Sequence, residues 1–156
     1  YVVLSLTIFI PIGNIQIRLA EALCLLCFFN RRYAIGITIG CAIVNIYSVF
    51  VFTPLDMVIG TLATLASCML ISTCKHMGIA ALIPVVINGV AIGVEISAIN
   101  CETIEQFTSQ VWIDMGLVAA VELAVMVIGY ILFFFLGKKP FFQELISVRR
   151  NKDFKW

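Results

Sequence analysis

Charged side chains are scarce in this sequence: Asp, Glu, Lys and Arg make up 12% of its 156 residues, whereas a soluble domain has about 25%. Hydrophobic residues account for 62% of the chain, and the mean hydropathy is +1.11. This composition excludes an ordinary soluble domain and predicts an integral membrane protein. The net charge is only +1 and no basic stripe is present, so nothing indicates nucleic-acid binding.

Motifs for catalysis are missing as well. The single histidine, His76, stands beside Lys75 without a second metal ligand nearby, so we expect it to be solvated. Cys24 and Cys27 have the spacing of a redox or metal pair, but they lie in an apolar run and are expected to be buried small side chains. The sequence contains no Walker motif, Gly-rich phosphate loop or nucleophile–base pair. We therefore expect no catalytic residue, metal or cofactor. If the chain takes part in uptake of a molecule, the energy must come from a partner.

Long apolar runs are what the chain does have, and they predict an all-α membrane protein, a single bundle of six transmembrane helices. The predicted helices cover residues 1–10, 16–29, 33–50, 55–73, 79–99 and 109–136. The sequence begins at Tyr1 rather than Met, so we expect a truncated first helix. Residues 1–140 are predicted to form the six-helix transmembrane domain, followed by a short basic tail at 141–156 that lies along the membrane surface.

The loop charges predict the orientation of this bundle. The basic residues fall on one side of the six-helix map: Arg31, Arg32, Lys75, Lys138, Lys139, Arg149, Arg150, Lys152 and Lys155. The other side carries the acidic residues Glu21, Asp56, Glu102, Glu105 and Asp114, with Arg18 as the one basic exception. The positive-inside rule therefore predicts a multi-pass protein with both termini in the cytoplasm. We expect its location to be the plasma membrane.

Polar residues within the spans concentrate in the outer half of the predicted bundle. Arg18 and Glu21 are three residues apart, so on a helix they would share a face and pair. The other members of this group are Asn45, Asp56, Thr61, Asn88, Glu95, Trp112, Asp114 and, near the centre of the sixth helix, Glu122. Ionisable residues at depth are costly and typical of functional sites, so we predict a ligand pocket open to the outside. For Asp56 and the loop carboxylates Glu102 and Glu105, helix capping is the favoured alternative.

Small residues recur at four-residue spacing, which lets membrane helices approach closely. The pairs are Gly36/Gly40, Ala63/Ser67, Gly89/Gly93, Gly116/Ala120 and Ala120/Ala124. They favour packing within the bundle, and the alternative is that one such face docks a partner membrane subunit. Our candidates for a partner interface are Gly36, Gly40, Ala63 and Ser67.

Three ordered blocks carry a family resemblance: IQIRLAEAL at 15–23, GxxxGCxxxN at 36–45 and DxxxGTLATL at 56–65. Together they resemble the QueT family of substrate-binding S components of energy-coupling factor (ECF) transporters, which are associated with queuosine precursors. Ala20 stands where we would expect Ser, and Val44 where we would expect Ala. The resemblance implies an S component that captures a small molecule outside. It would join an ECF coupling subunit and two cytoplasmic ATPase subunits, whose ATP hydrolysis drives uptake.

The ligand that this resemblance implies is a 7-deazaguanine base, either a queuosine precursor or queuine. We expect Glu95 to accept hydrogen bonds from the donor edge of the base, and Asn45 or Asn88 to contact its carbonyl. Further substrate contacts are assigned to Glu21 or Asp114 for a cationic aminomethyl group and to Trp112 or Tyr47 for ring stacking, with Arg18 and Glu122 as pocket support.

Three alternatives remain open at this point. The chain could be an S component for another vitamin, such as riboflavin, thiamine or biotin. It could be a membrane assembly or regulatory subunit whose polar cluster lies against a protein partner. Finally, it could be a proton-coupled transporter with Glu122 and Glu95 as the relay, although a six-helix chain without visible repeats is small for that task.

Overall fold

The computed structural model describes the backbone of residues 1–7, 9–12, 15–48 and 54–146, and the side chains of residues 1–5, 19–46, 55 and 57–146. The elements in chain order are α1 (Val2–Thr7), β1 (Phe9–Ile12), β2 (Ile15–Arg18), a 3-10 helix (Leu19–Leu25), α2 (Leu26–Phe29), α3 (Tyr33–Ser48), α4 (Pro54–Ile71), α5 (Met77–Asn100), α6 (Ile104–Leu136) and α7 (Pro140–Leu145). The described chain is therefore helical apart from one short hairpin.

The four long helices α3 to α6 correspond to the last four predicted helices. The helix α5 continues through Pro84, as predicted for a membrane span. The helix α6 begins five residues before the predicted start, because the Thr103 hydroxyl accepts a hydrogen bond from the Gln106 backbone N–H at 3.3 Å and caps the helix. By length and composition, α5 and α6 are each candidates to cross a membrane. The apolar helices at 33–46 and 57–71 are shorter.

The first two predicted helices have the wrong boundaries. The helix α1 ends at Thr7, and the next residues form an antiparallel hairpin in which Phe9 pairs with Arg18 and Ile12 with Ile15. Isoleucines at 8, 10, 12, 15 and 17 alternate with other residues around Gly13–Asn14, and this β-branched alternation favours strands. Pro11, which lacks an N–H, also disfavours a helix here.

The hairpin changes the relation between Arg18 and Glu21. Arg18 ends β2, whereas Glu21 lies in the 3-10 helix, so the two residues do not share one face of an α-helix. The predicted helix 16–29 is replaced by the end of a strand, the 3-10 helix and the single turn of α2. The Arg18 side chain lies outside the described ones, so its pairing with Glu21 stays a prediction.

Glycines allow α5 and α6 to pack as a close antiparallel pair. A Cβ atom at Gly93 would lie 2.5 Å from the Met115 Cα atom, and one at Gly89 would lie 3.0 Å from the Ala119 Cβ atom. At Gly93 only glycine tolerates so close a backbone approach. The predicted use of this glycine pair for packing inside the bundle is confirmed. We call this pair of helices the α5–α6 hairpin.

The two ends of the bundle differ in charge. The end that we call the basic end carries the exposed side chains Arg31, Arg32, Lys75, Lys138 and Lys139. Phe29, just before the first arginines, packs on Phe133 and Phe142 with ring centroids 6.2 and 5.9 Å away. The opposite end, called the acidic end, is where α5 turns into α6 and where Glu102 and Glu105 are exposed.

Candidate functional site

Polar side chains form part of the buried faces of α5 and α6. On α5, Asn88 and Glu95 are buried and are seven residues apart, which places them on the same face about two turns from each other. On α6, the buried side chains Asp114, Val118 and Glu122 follow at four-residue spacing. Both helices therefore turn acidic or amide side chains towards the interior of the bundle.

The antiparallel pairing gives the depth of each polar residue. Ser97 hydrogen-bonds to Asp114, and Gly93 lies against Met115. Glu95 of α5 and Asp114 of α6 are therefore at about the same depth, and they are the buried carboxylates of the two helices nearest the acidic end. Glu122 lies eight residues further along α6, which is about 12 Å along the helix axis. Beyond it the buried face of α6 is apolar as far as Phe133. The polar part of the interior thus extends from the acidic end to about the middle of the α5–α6 hairpin.

Asp114 joins the two helices close to the acidic end. The Ser97 hydroxyl donates a hydrogen bond to Oδ2 of Asp114 at 2.6 Å, and the Gln110 amide donates to Oδ1 at 3.1 Å. Both carboxylate oxygens therefore already accept hydrogen bonds, although each has a second lone pair. Ser97 and Gln110 were not among the predicted site residues.

Glu21 connects the N-terminal helix to the 3-10 helix. The Tyr1 hydroxyl donates to Oε1 of Glu21, and the Cys24 thiol donates to Oε2 at 3.5 Å. The neighbouring Ala22 packs against Gly129, where an added Cβ would lie 2.8 Å from the Ala22 Cβ. Gly129 is about two turns beyond Glu122 on the buried face of α6, so the 3-10 helix packs against the apolar part of that face.

Asn45 is fully buried between α3 and α4. Its amide donates to the Thr61 hydroxyl at 3.3 Å and to the Cys41 sulfur at 3.5 Å. The Cys41 sulfur also lies 3.3 Å from the Thr64 hydroxyl. These contacts join α3 to α4, so the amide proposed for ligand contact serves helix packing in this structure.

Of the two predicted aromatic residues, Trp112 is not brought to the polar interior. Trp112 is 72% exposed. It is two residues before Asp114 on α6, so it lies on a different face from the one that buries Asp114. The side chains of Tyr47, Arg18 and Asp56 lie outside the described ones, so their predicted roles stay predictions.

The candidates for a partner interface mostly pack inside the chain. Ala63 and Ser67 are buried. An added Cβ at Gly40 would lie 3.0 Å from the Tyr1 Cβ, so this glycine accommodates the first residue. Gly36 is exposed, and a Cβ there would meet no atom of the described chain within 4 Å. Of the four, Gly36 alone lies on an open surface.

The predicted cysteine environment is confirmed, because Cys24 and Cys27 are buried. Their thiols lie against that of Cys68 on α4, which helps to hold the 3-10 helix and α2 in the bundle. His76 is exposed, as expected for a solvated side chain. Within the described ranges, no group of three His, Cys, Asp or Glu side chains is arranged to hold a metal ion.

Comparison with known proteins identifies the family of this chain. A protein of Lactococcus lactis subsp. cremoris (strain MG1363) named queuosine precursor transporter QueT is 44% identical over 68 residues. The aligned part is 42% of this chain and 38% of the relative's length. No solved structure matches. The family model of the QueT transporter matches residues 1–138, and the chain therefore belongs to the QueT transporter family.

Proposed function

We propose that this chain is the substrate-binding membrane subunit of an ECF importer and that it captures a queuosine precursor or queuine from outside the cell. The observation that carries the proposal is the row of buried carboxylates and an amide on the α5–α6 hairpin, in a chain of a transporter family. The name of the Lactococcus relative supports a 7-deazaguanine as the ligand.

Glu95 and Asn88 are our choice for the groups that recognise the base. A guanine-like edge presents N–H donors beside a carbonyl, so a carboxylate and an amide complement it. Their Cα atoms are seven residues apart, about 10 Å along α5, and both side chains lie on its buried face. Asp114 or Glu21 would then meet an aminomethyl cation, with Glu122 as support.

The proposed membrane arrangement has six spans, with the basic end and both termini in the cytoplasm and the acidic end outside. The charge difference between the ends supports this orientation. Exposed apolar side chains on the long helices, for example Ile39, Leu62, Val86 and Ile128, support contact with lipid. A plasma-membrane location follows from capture outside the cell.

Energy for uptake would come from partners, namely an ECF coupling subunit and two cytoplasmic ATPases. The absence of a nucleotide-binding motif from the sequence supports this division of labour. Uptake by cells should therefore require the ATPase subunits and persist when a protonophore collapses the proton gradient. Uptake without ATPases that stops with the protonophore would favour the proton-coupled alternative instead.

Calorimetric binding to the purified full chain tests the ligand assignment. We expect 7-cyano- or 7-aminomethyl-7-deazaguanine to saturate the protein, and Glu95→Gln or Asn88→Ala to weaken binding about 10-fold or more, because a buried polar group loses its partner. Glu102→Gln is the matched control, since this carboxylate is exposed at the acidic end. Saturable binding of riboflavin, thiamine or biotin instead, or of no small molecule, would contradict the proposal.

A further inference from the structure

The basic end combines exposed cations with α7, the last helix of the described residues. The five described Lys and Arg side chains at this end belong to three different turns of the chain. The Arg31 guanidinium lies 3.7 Å from the Met69 sulfur, which connects its turn to the end of α4, six residues before Lys75. The Phe29 ring packs on Phe133 and Phe142, and the turn that carries Lys138 and Lys139 lies between these two residues in the chain. This turn is therefore at the same end of the bundle as Arg31.

The helix α7 folds back onto the basic end, because its Phe142 ring lies 6.1 Å from the Phe133 ring of α6. The Gln143 amide donates to the Gly137 carbonyl at 2.6 Å, which closes the turn between the two helices. The Asn30 amide donates to the Ile146 carbonyl at 3.5 Å, and the Ile146 side chain is buried. One face of α7 is thus tied to the bundle through Phe142 and Ile146.

The other face of α7 presents large apolar side chains. Phe141 is 76% exposed and Leu145 is 67% exposed, and residues four apart lie on the same face of a helix. They follow directly after the exposed Lys138 and Lys139. Exposed aromatic and aliphatic side chains beside lysines are typical of a segment that lies in the headgroup region of a membrane.

The charges at this end favour a negatively charged occupant. Five cations stand against one described carboxylate, that of Glu144, and His76 adds no formal negative charge. The Lys138 ammonium lies 3.6 Å above the Phe134 ring and remains exposed, so it is available to a ligand at the edge of the bundle. Each Lys or Arg near an anionic lipid surface strengthens binding about fivefold.

We propose that the basic end binds anionic phospholipid, with headgroups on Lys138, Lys139, Arg31 and Arg32 and with Phe141 and Leu145 inserted at the acyl boundary. The role follows from charge, exposure and the tied position of α7. It is independent of the small molecule that the polar interior binds, so either assignment can fail without the other.

Native mass spectrometry of the full chain tests the lipid assignment. The protein is released from detergent micelles that contain equal amounts of phosphatidylglycerol and phosphatidylcholine, and the retained lipids are counted. We expect preferential retention of phosphatidylglycerol, and a loss of that preference of about 10-fold or more in Lys138→Gln/Lys139→Gln. Lys138→Arg/Lys139→Arg keeps both charges and should keep the preference.

A matched control changes the same amount of charge at the other end. Glu102→Gln/Glu105→Gln removes two exposed charges from the acidic end and should leave lipid retention unchanged. If the lysine variant fails to fold, the parent chain still gives an answer, because raising the salt from about 50 mM to about 500 mM should weaken the preference. Equal retention of the two lipids, or displacement of phosphatidylglycerol by soluble glycerol phosphate, would overturn the proposal.

Discussion

The N-terminal region, residues 1–29, and the α5–α6 hairpin differ in the regularity of their backbone and in the exposure of their side chains. In the hairpin, two long regular helices expose many apolar side chains to the outside, such as Val86, Val90, Leu117 and Ile131. In the N-terminal region the backbone changes from helix to strand to 3-10 helix, and Ala20, Cys24 and Leu25 are completely buried. Among the described side chains, exposure thus coincides with the long regular helices, and burial with the 3-10 helix.

The physical reason is the strength of the backbone hydrogen bonds. An α-helix satisfies its N–H and C=O groups internally and can face hydrocarbon, whereas the hydrogen bonds of a 3-10 helix have poorer geometry, so such a segment gains from cover by protein. The 3-10 helix has such cover from α6, where Gly129 admits Ala22, and from α4, where Cys68 meets Cys24 and Cys27. A bundle with this division can keep polar groups inside without exposing backbone to lipid.

The largest expected effect comes from breaking the close contact within the hairpin. Gly93→Val places side-chain atoms where the Met115 backbone lies, so we expect a loss of about 3 kcal/mol in the free energy of unfolding. Titration with SDS, followed by circular dichroism, measures this change. Gly116→Val is the control, since a Cβ there meets no described atom within 4 Å and its effect should stay within about 0.5 kcal/mol. Equal losses in the two variants would mean that the helices do not approach at Gly93.

The extent to which the sequence predicted the fold follows the same division. The helices α3 to α6 were predictable because their apolar runs are continuous and end at Pro, Gly or charged residues. The strand pair β1–β2 was missed, although the alternating isoleucines around Gly13–Asn14 that indicate it are in the sequence. An apolar run of this kind satisfies the criteria for a membrane helix and for a strand at once.

For the candidate site, the sequence predicted only which residues share a face of the same helix. Spacing alone places Asn88 with Glu95 on one face of α5, and Asp114 with Glu122 on one face of α6. The partners Ser97 of Asp114 and Tyr1 of Glu21 depend on how elements pack, and no local pattern specifies that. Asn45 shows the same limit, because its contact with Thr61 is set by the α3–α4 approach.

A smaller effect should measure the polar contact near the tip of the hairpin. In a double-mutant cycle of Ser97→Ala and Asp114→Asn, we expect a coupling energy of about 1.5 kcal/mol, near the upper end for hydrogen bonds in membrane proteins. The same SDS titration provides the four free energies. A coupling near zero would show that the 2.6 Å contact does not hold the two helices together.

The smallest expected effect tests the equivalent polar contact in the N-terminal region. In a cycle of Tyr1→Phe and Glu21→Gln, we expect a coupling of about 0.6 kcal/mol, the average for such contacts in membrane proteins, because Tyr1 is only partly buried whereas Ser97 is completely buried. Glu21→Gln with Tyr33→Phe is the control pair, since Tyr33 lies on α3 next to the basic end. A Tyr1–Glu21 coupling as large as that of Ser97 with Asp114 would contradict the difference between the two regions. It would mean that the irregular segment is held by its polar contacts as firmly as the hairpin is.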